Sequence, residues 1–182
     1  MTAASDAVMN QSPVADGPTV YAVFGNPIKH SKSPAIHGAF AAQFGADISY
    51  RAVAVATDEF EEKVAAFFQR GGSGLNVTVP FKERAWAMAD SVSERARKAR
   101  AANCLIPLEG GDLHADNTDG LGMVRDMVIN HGWQLAGRRT LVIGAGGAVR
   151  GILQPLLAER PACLTVVNRT PERAQQLAME FA

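Results

Sequence analysis

The stretch Val20-Tyr21-Ala22-Val23-Phe24-Gly25-Asn26-Pro27-Ile28-Lys29-His30-Ser31-Lys32-Ser33-Pro34 reads as a β-rich apolar strand, a polar loop and the entry to a helix. Pro34 stands where a helix tolerates proline, ahead of Ile36, Ala39, Phe40 and Gln43 at helical spacing. The pattern then repeats. Residues 48–55 form a second strand, and Asp58 with Glu61 makes a capping-box pattern before a helix carrying Phe60, Val64, Phe67 and Phe68. Gly71-Gly72 stops that helix, and residues 75–79 make a third strand. The opening third is therefore β-α-β-α-β, which favours a parallel sheet covered by helices, with ligand loops at the carboxyl ends of the strands. The serine loop and the loop from Thr78 to Lys82 both fall on that face.

Farther along, residues 80–89 and 93–101 read as short helices. Apolar runs around a Glu109-Gly110-Gly111-Asp112 turn then signal a hairpin. Pro107 argues for an edge strand, since proline cannot donate to a ladder. Residues 119–131 predict a helix with Leu121, Val124, Met127 and Val128 on one side. Residues 140–143 then read as a buried strand, 145–159 as a turn and helix, and 163–167 as another strand. Thr170-Pro171-Glu172 caps a last helix. The expected fold is α/β: an N-terminal α/β ligand domain with a mainly parallel sheet, followed by the first part of a Rossmann-type dinucleotide-binding domain. The divisions fall at a loose tail (1–18), the ligand domain (19–118), a connecting helix (119–134) and the nucleotide unit (135–182).

Composition excludes several classes. With 182 residues, 47% apolar, and 18 basic against 18 acidic side chains, nothing draws the chain to nucleic acid. No run approaches the roughly 20 apolar residues of a membrane helix. The first residues have neither a basic start nor an apolar core, so they do not read as a signal peptide. Cys104 and Cys163 lie far apart inside apolar runs, the pattern of buried free thiols in a reducing cytoplasm. The four histidines show no ligand spacing, and no metal site is expected.

The chemistry-bearing residues collect where apolar runs end. Ser31 and Ser33 alternate around Lys32, so two hydroxyls can face one way toward a carboxylate or a sugar-like hydroxyl. Asn76 and Thr78 share one face of a strand. Lys82 opens a short helix, where the positive dipole end makes a cation awkward and a carboxylate partner welcome. A partly desolvated lysine with a nearby aspartate can carry a proton, and Asp119 is the aspartate on offer. Gly144-Ala145-Gly146-Gly147-Ala148 follows a strand and opens a helix, where a pyrophosphate can meet backbone N–H groups; Val149 fills the third glycine position of the usual pattern. At the end of the next strand, Asn168-Arg169-Thr170 stands where an acidic residue would bind a ribose hydroxyl. Arg169, seconded by Arg173, suits a 2′-phosphate, so the expected cofactor is NADP.

GNPIKHSKSP, NVTVPFK, the NTDG turn, GAGGA with Arg150-Gly151, and NRTPER together resemble the shikimate dehydrogenase family, over almost all of the chain after the tail. The resemblance implies NADPH-dependent reduction of 3-dehydroshikimate to shikimate in aromatic amino-acid biosynthesis, by a cytoplasmic monomer or homodimer. It makes Ser31, Ser33, Thr78 and Asn103 substrate-binding residues and Lys82 with Asp119 the catalytic pair. It assigns cofactor binding to Gly144, Gly146, Gly147, Ala148, Asn168, Arg169, Thr170 and Arg173. Around Asn103 the family usually reads Ala-Val-Asn-Thr, whereas here Ala102 precedes it and Cys104 follows. Family members also continue beyond this length, so the nucleotide unit is expected to be a C-terminally truncated, marginally stable Rossmann domain. Two other readings stay open: a non-catalytic shikimate-binding fragment, and a quinate/shikimate dehydrogenase.

Overall fold

The computed structural model describes residues 17–181, so nearly all of the foreseen tail lies outside the described residues. Strand β1 (Thr19–Gly25), rich in branched and aromatic residues, pairs in parallel with β2 (Ile48–Ala54) on one side and β3 (Gly74–Val77) on the other. Helix α1 (Ser33–Phe44) joins β1 to β2. A single 3-10 turn (Thr57–Glu59) and helix α2 (Phe60–Gln69) then lead to β3. Next come α3 (Lys82–Ala87), a two-residue strand β4 (Ser91–Val92) and α4 (Glu94–Ala99), which is capped by Ser93 accepting the Ala96 N–H at 3.1 Å. The foreseen hairpin is β5 (Cys104–Pro107) with β6 (Leu113–Asp116).

These strands make one sheet in the order β2-β1-β3-β5-β6-β4. Only the β3–β5 and β5–β6 pairings are antiparallel, so the sheet is mainly parallel. The edge expected at Pro107 is corrected: β5 is interior. It pairs with β3 only through Leu105 and Cys104, and Pro107 lies beyond that register, where its missing N–H deprives no β3 partner.

The core of this unit joins Ala22, Phe24, Val55, Phe60, Val64, Leu75, Val77, Phe81 and Leu105. Phe60 and Phe81 stack with ring centroids 4.5 Å apart, and the Arg84 guanidinium lies 5.3 Å above the Phe60 ring. The capping box is not formed, because Glu61 is taken by Arg84 of α3 instead of its own helix end. Nor does α1 bury the stripe its spacing predicts: none of its residues is buried, and Ile36 and Phe40 are exposed. The helix packs mainly on β2, the edge strand, with little else around it among the described residues.

A long helix leaves this sheet as α5 (Asp119–Arg125) and continues as a π-helical segment (Asp126–Asn130). Beyond it, β7 (Arg139–Ile143), α6 (Gly147–Ala158), β8 (Cys163–Val167) and α7 (Pro171–Phe181) make a two-stranded parallel sheet with helices. A second core gathers Val124, Leu135, Val142 and Leu156. Leu121 is exposed, contrary to expectation. α5 meets α6 through Gly120 and Val124, and residue 121 is turned about 100° away from 120 around the helix. The strand foreseen as buried at 140–143 buries only Val142. Leu141 and Ile143 alternate to the opposite, uncovered face. Cys163 is likewise exposed at the start of β8, and Cys104 is half-buried; both thiols are free.

Candidate active site

Parallel pairing brings the loops after β1 and β3 side by side, and the antiparallel β5 returns Asn103 and Cys104 to the same end. The β3–α3 turn puts Lys82 at the first position of α3, and the β6–α5 turn puts Asp119 at the first position of α5. Lys82 Nζ donates to Asp119 Oδ2 at 2.5 Å, with both side chains mostly shielded from solvent. The other carboxylate oxygen, Oδ1, accepts from Asn103 Nδ2 at 2.9 Å. Asn103 is fixed in turn: its Oδ1 accepts the Thr118 N–H at 2.9 Å, and its Nδ2 also reaches Thr118 Oγ1 at 3.0 Å. One oxygen of Asp119 thus faces the lysine while the other is anchored, which sets the lysine's direction.

The network extends toward the serine loop. Asn76 donates to the Asn103 carbonyl at 3.2 Å and to Cys104 Sγ at 3.3 Å, and its Oδ1 accepts from the Tyr50 hydroxyl at 2.6 Å. Tyr50 lies flat on His37, ring centroids 4.2 Å apart. Burial pushes its phenol up to about 12, against a smaller opposing effect of the Ser33 hydroxyl. Burial also raises the Cys104 thiol and lowers the His37 imidazole. Ser31 Oγ accepts the Ser33 N–H at 3.3 Å. Thr78 follows β3 on the loop that leads to Lys82, and its N–H donates to Phe24 O at 2.9 Å.

The structure therefore gathers Ser31, Ser33, Asn103, Lys82 and Asp119 at one end of the sheet, with Thr78 on an adjoining loop. Sequence reasoning did not select Tyr50, and it noted Thr118, in the NTDG turn, and Asn76 without assigning either a role. Asn76 had a signal, its place on one strand face with Thr78; Tyr50 had none. A cavity of about 470 Å³ between α2 and strands β1 and β2 holds none of these residues.

The second cluster is built by β7 and β8. Their register pairs Ile143 with Val167, so the turns that follow them lie side by side. Gly144 has φ +119°, a backbone that side-chain-bearing residues rarely adopt, and its N–H donates to Val167 O at 2.7 Å. Gly146 is the N-cap of α6 with no side chain to bond the first N–H groups, and Gly147 and Ala148 open the helix. That end offers free backbone donors at a positive pole, which fits a pyrophosphate. Glu83 already brings a carboxylate there: its Oε1 lies 3.5 Å from where a Gly147 β-carbon would stand. Across the paired turn, Asn168 Nδ2 donates to Thr170 O at 2.9 Å, while Arg169 and Arg173 are exposed beside it. Among the described residues, no helix is long and apolar enough to cross a membrane, and no His/Cys/Asp/Glu group could hold a metal.

A polar constellation at the strand ends of one α/β unit, followed by a glycine turn and an arginine pair in a second, defines the two-unit dehydrogenase class of architecture. Residues 23–105 match the shikimate dehydrogenase substrate binding domain, and residues 127–182 match the shikimate / quinate 5-dehydrogenase family. The chain belongs to the shikimate dehydrogenase family. It is 56% identical to the NADP(+) shikimate dehydrogenase of Methylococcus capsulatus, over 90% of this chain and 59% of that relative. A crystal structure of an Ael1 enzyme from Pseudomonas putida superposes with a TM-score of 0.84 at 48% identity, covering 89% of this chain and 59% of that one. Shikimate 5-dehydrogenase from Thermus thermophilus, solved with NADP(H) and shikimate, gives 0.82 at 36% identity over 90% and 60%. The chain thus spans about three-fifths of the relatives it matches.

Proposed function

We propose that this chain supplies the substrate site and proton-transfer pair of an NADP-dependent shikimate dehydrogenase, which reversibly reduces 3-dehydroshikimate to shikimate. The observation that carries the reading is the Lys82–Asp119 pair at 2.5 Å, braced by Asn103. Residues 19–118 form the substrate unit, 119–134 connect, and 135–182 form the NADP unit. The bound cofactor supplies hydride to the ketone carbon.

The chain's own residues do the rest. Ser31, Ser33, Thr78 and Asn103 offer hydroxyls and an amide to the carboxylate and ring hydroxyls of the acid. The Lys82 ammonium gives its proton to the carbonyl oxygen as the alcohol forms, and Asp119 stabilises the charged lysine before the transfer and orients it throughout. Gly144, Gly146, Gly147 and Ala148 would hold the pyrophosphate. Asn168, Arg169, Thr170 and Arg173 would hold the 2′-phosphate, which an NAD-specific acidic residue would repel. The reading implies a reducing cytoplasm, where NADPH is made and the Cys104 and Cys163 thiols stay free, and a monomer or homodimer.

The test is NADPH oxidation with 3-dehydroshikimate by the chain and by Lys82→Ala, with quinate and NADP⁺ run in the reverse direction. Lys82→Ala is expected to lose roughly 10²–10⁴-fold in kcat while shikimate still binds, the usual worth of a positioned proton carrier. Shikimate binding without any turnover would select the non-catalytic binding protein. Quinate turnover equal to that of shikimate would select the broader quinate/shikimate enzyme. Absence of shikimate binding defeats the reading altogether.

A further inference from the structure

We propose that Asn117, wedged between the Asp119 turn and a glycine crossing of α5 on α6, is a positioning residue that makes the placement of Asp119 depend on the seat of the nucleotide helix. This rests on the proposed function. Asn117 is the buried polar side chain among the described residues, 2% exposed. Its Nδ2 donates to Ala101 O at 2.9 Å, at the exit of α4, and its Oδ1 accepts the Asp119 N–H at 3.2 Å. Its own N–H donates to Asp116 Oδ1 at 2.7 Å. The amide is therefore spanned between the chain just before Asn103 and the backbone of Asp119 itself.

Its remaining side faces α6. A β-carbon on Gly151 would stand 3.1 Å from Asn117 Nδ2 and 3.3 Å from Oδ1. One on Gly120, the residue after Asp119, would stand 2.4 Å from Gly151 O and 2.8 Å from Ile152 Cα. The two helices thus meet through backbone atoms and the rigid ring of Pro155, whose Cγ would stand 2.8 Å from the same β-carbon, so little at this point can swing aside to absorb a shift. Arg150, the neighbour of Gly151, donates from Nε to Ala99 O at 3.2 Å, so the same turn of α6 also holds the end of α4. α6 begins at Gly147, in the glycine turn that faces the cofactor. A displacement of its axis passes through Gly151 to Asn117 and Gly120, and from them to the N–H that sets Asp119. A buried, close-packed contact of this kind transmits small movements because it has no void to take them up.

The experiment compares the full chain with Gly151→Ala, Asn117→Ser and Leu156→Val. Leu156 lies on the same helix in the second core but is no part of the Asn117 contact, so its variant weakens that core while leaving the Gly151–Asn117 contact as it is. Gly151→Ala and Asn117→Ser are expected to lower kcat roughly 10-fold with shikimate KM within about twofold, the signature of a misaligned reacting group rather than lost binding. Leu156→Val is expected to lower melting temperature with kcat intact. Equal loss of kcat in Leu156→Val, or kcat within about twofold of the parent in both other variants, overturns the proposal. Should the parent chain bind no shikimate, the proposed function fails, and should it bind shikimate without turnover, the kcat comparison has no reference. Amide hydrogen exchange then decides this inference alone: Gly151→Ala must speed exchange at residues 117–120 while leaving β1 unchanged, and unaltered exchange there overturns it.

Discussion

Tyr50 keeps its proton up to about 12, because burial beside His37 disfavours the charged phenolate more than the Ser33 hydroxyl favours it. In the unfolded chain the same phenol ionises near pH ~10. Between about 10 and about 12 the folded state therefore holds one more proton than the unfolded state, and stability must fall as pH rises through that window. Ultraviolet titration of the folded chain should show a late phenolate phase near the upper end, absent in Tyr50→Phe. If all phenolate absorbance has appeared by pH ~11, Tyr50 is not held as described. The same residue shows where sequence reading stops. Ser31, Ser33, Thr78, Lys82 and Asp119 could be chosen because each sits at a strand end with a side chain whose chemistry is local. Tyr50 lies inside a strand, and only pairing with Asn76, 26 positions away, makes it part of the site. Asn117 stands in the quoted NTDG turn, but its contact with Gly151 exists only once two helices cross.

Helices α1 and α2 present similar aromatic patterns and opposite burial. Spacing alone gives Phe40 and Phe60 equal claims on a core, but Phe60 of α2 joins Phe24, Leu75 and Leu105 of the inner strands and stacks on Phe81 of the β3–α3 turn, whereas α1 lies over the edge strand. Phe60 is fully buried and Phe40 is half-exposed. Phe60→Ala is accordingly expected to cost about 3–5 kcal/mol, the cavity cost of a buried aromatic. Phe40→Ser in the same 182-residue chain should stay within about 0.5 kcal/mol. Urea titrations of both variants check this, and a loss at Phe40 comparable to that at Phe60 would mean that α1 is covered after all. Glu61 makes a related point. Its spacing from Asp58 signals a cap, yet Arg84, a residue 23 positions on, offers a charged partner that the helix end cannot match. Periodicity located the elements; which face met a neighbour depended on sheet order.

Taken whole, the molecule has two cores of unequal support. Among the described residues, the first is closed by a six-stranded sheet, while the second has only the strands β7 and β8 beside its helices, with Ile143 80% exposed. A two-stranded pair is marginal by itself in water, so the second unit must borrow stability from α5, whose Met123 and Val124 it shares. The chain should therefore melt in two steps, with residues 139–181 unfolding first and the six-stranded unit later. The proposed function supplies a label for the first step. NADP⁺ at about 100 times its dissociation constant should stabilise the unit that binds it by about 2.7 kcal/mol and leave the other in place. Followed by circular dichroism, the lower transition should rise toward the upper one as NADP⁺ is added, with shikimate shifting the upper one instead. A single transition that both ligands move by equal amounts would show that the α5–α6 crossing has joined the two cores into one cooperative unit. Gly151→Ala, which strains that crossing, should then be the variant that splits them.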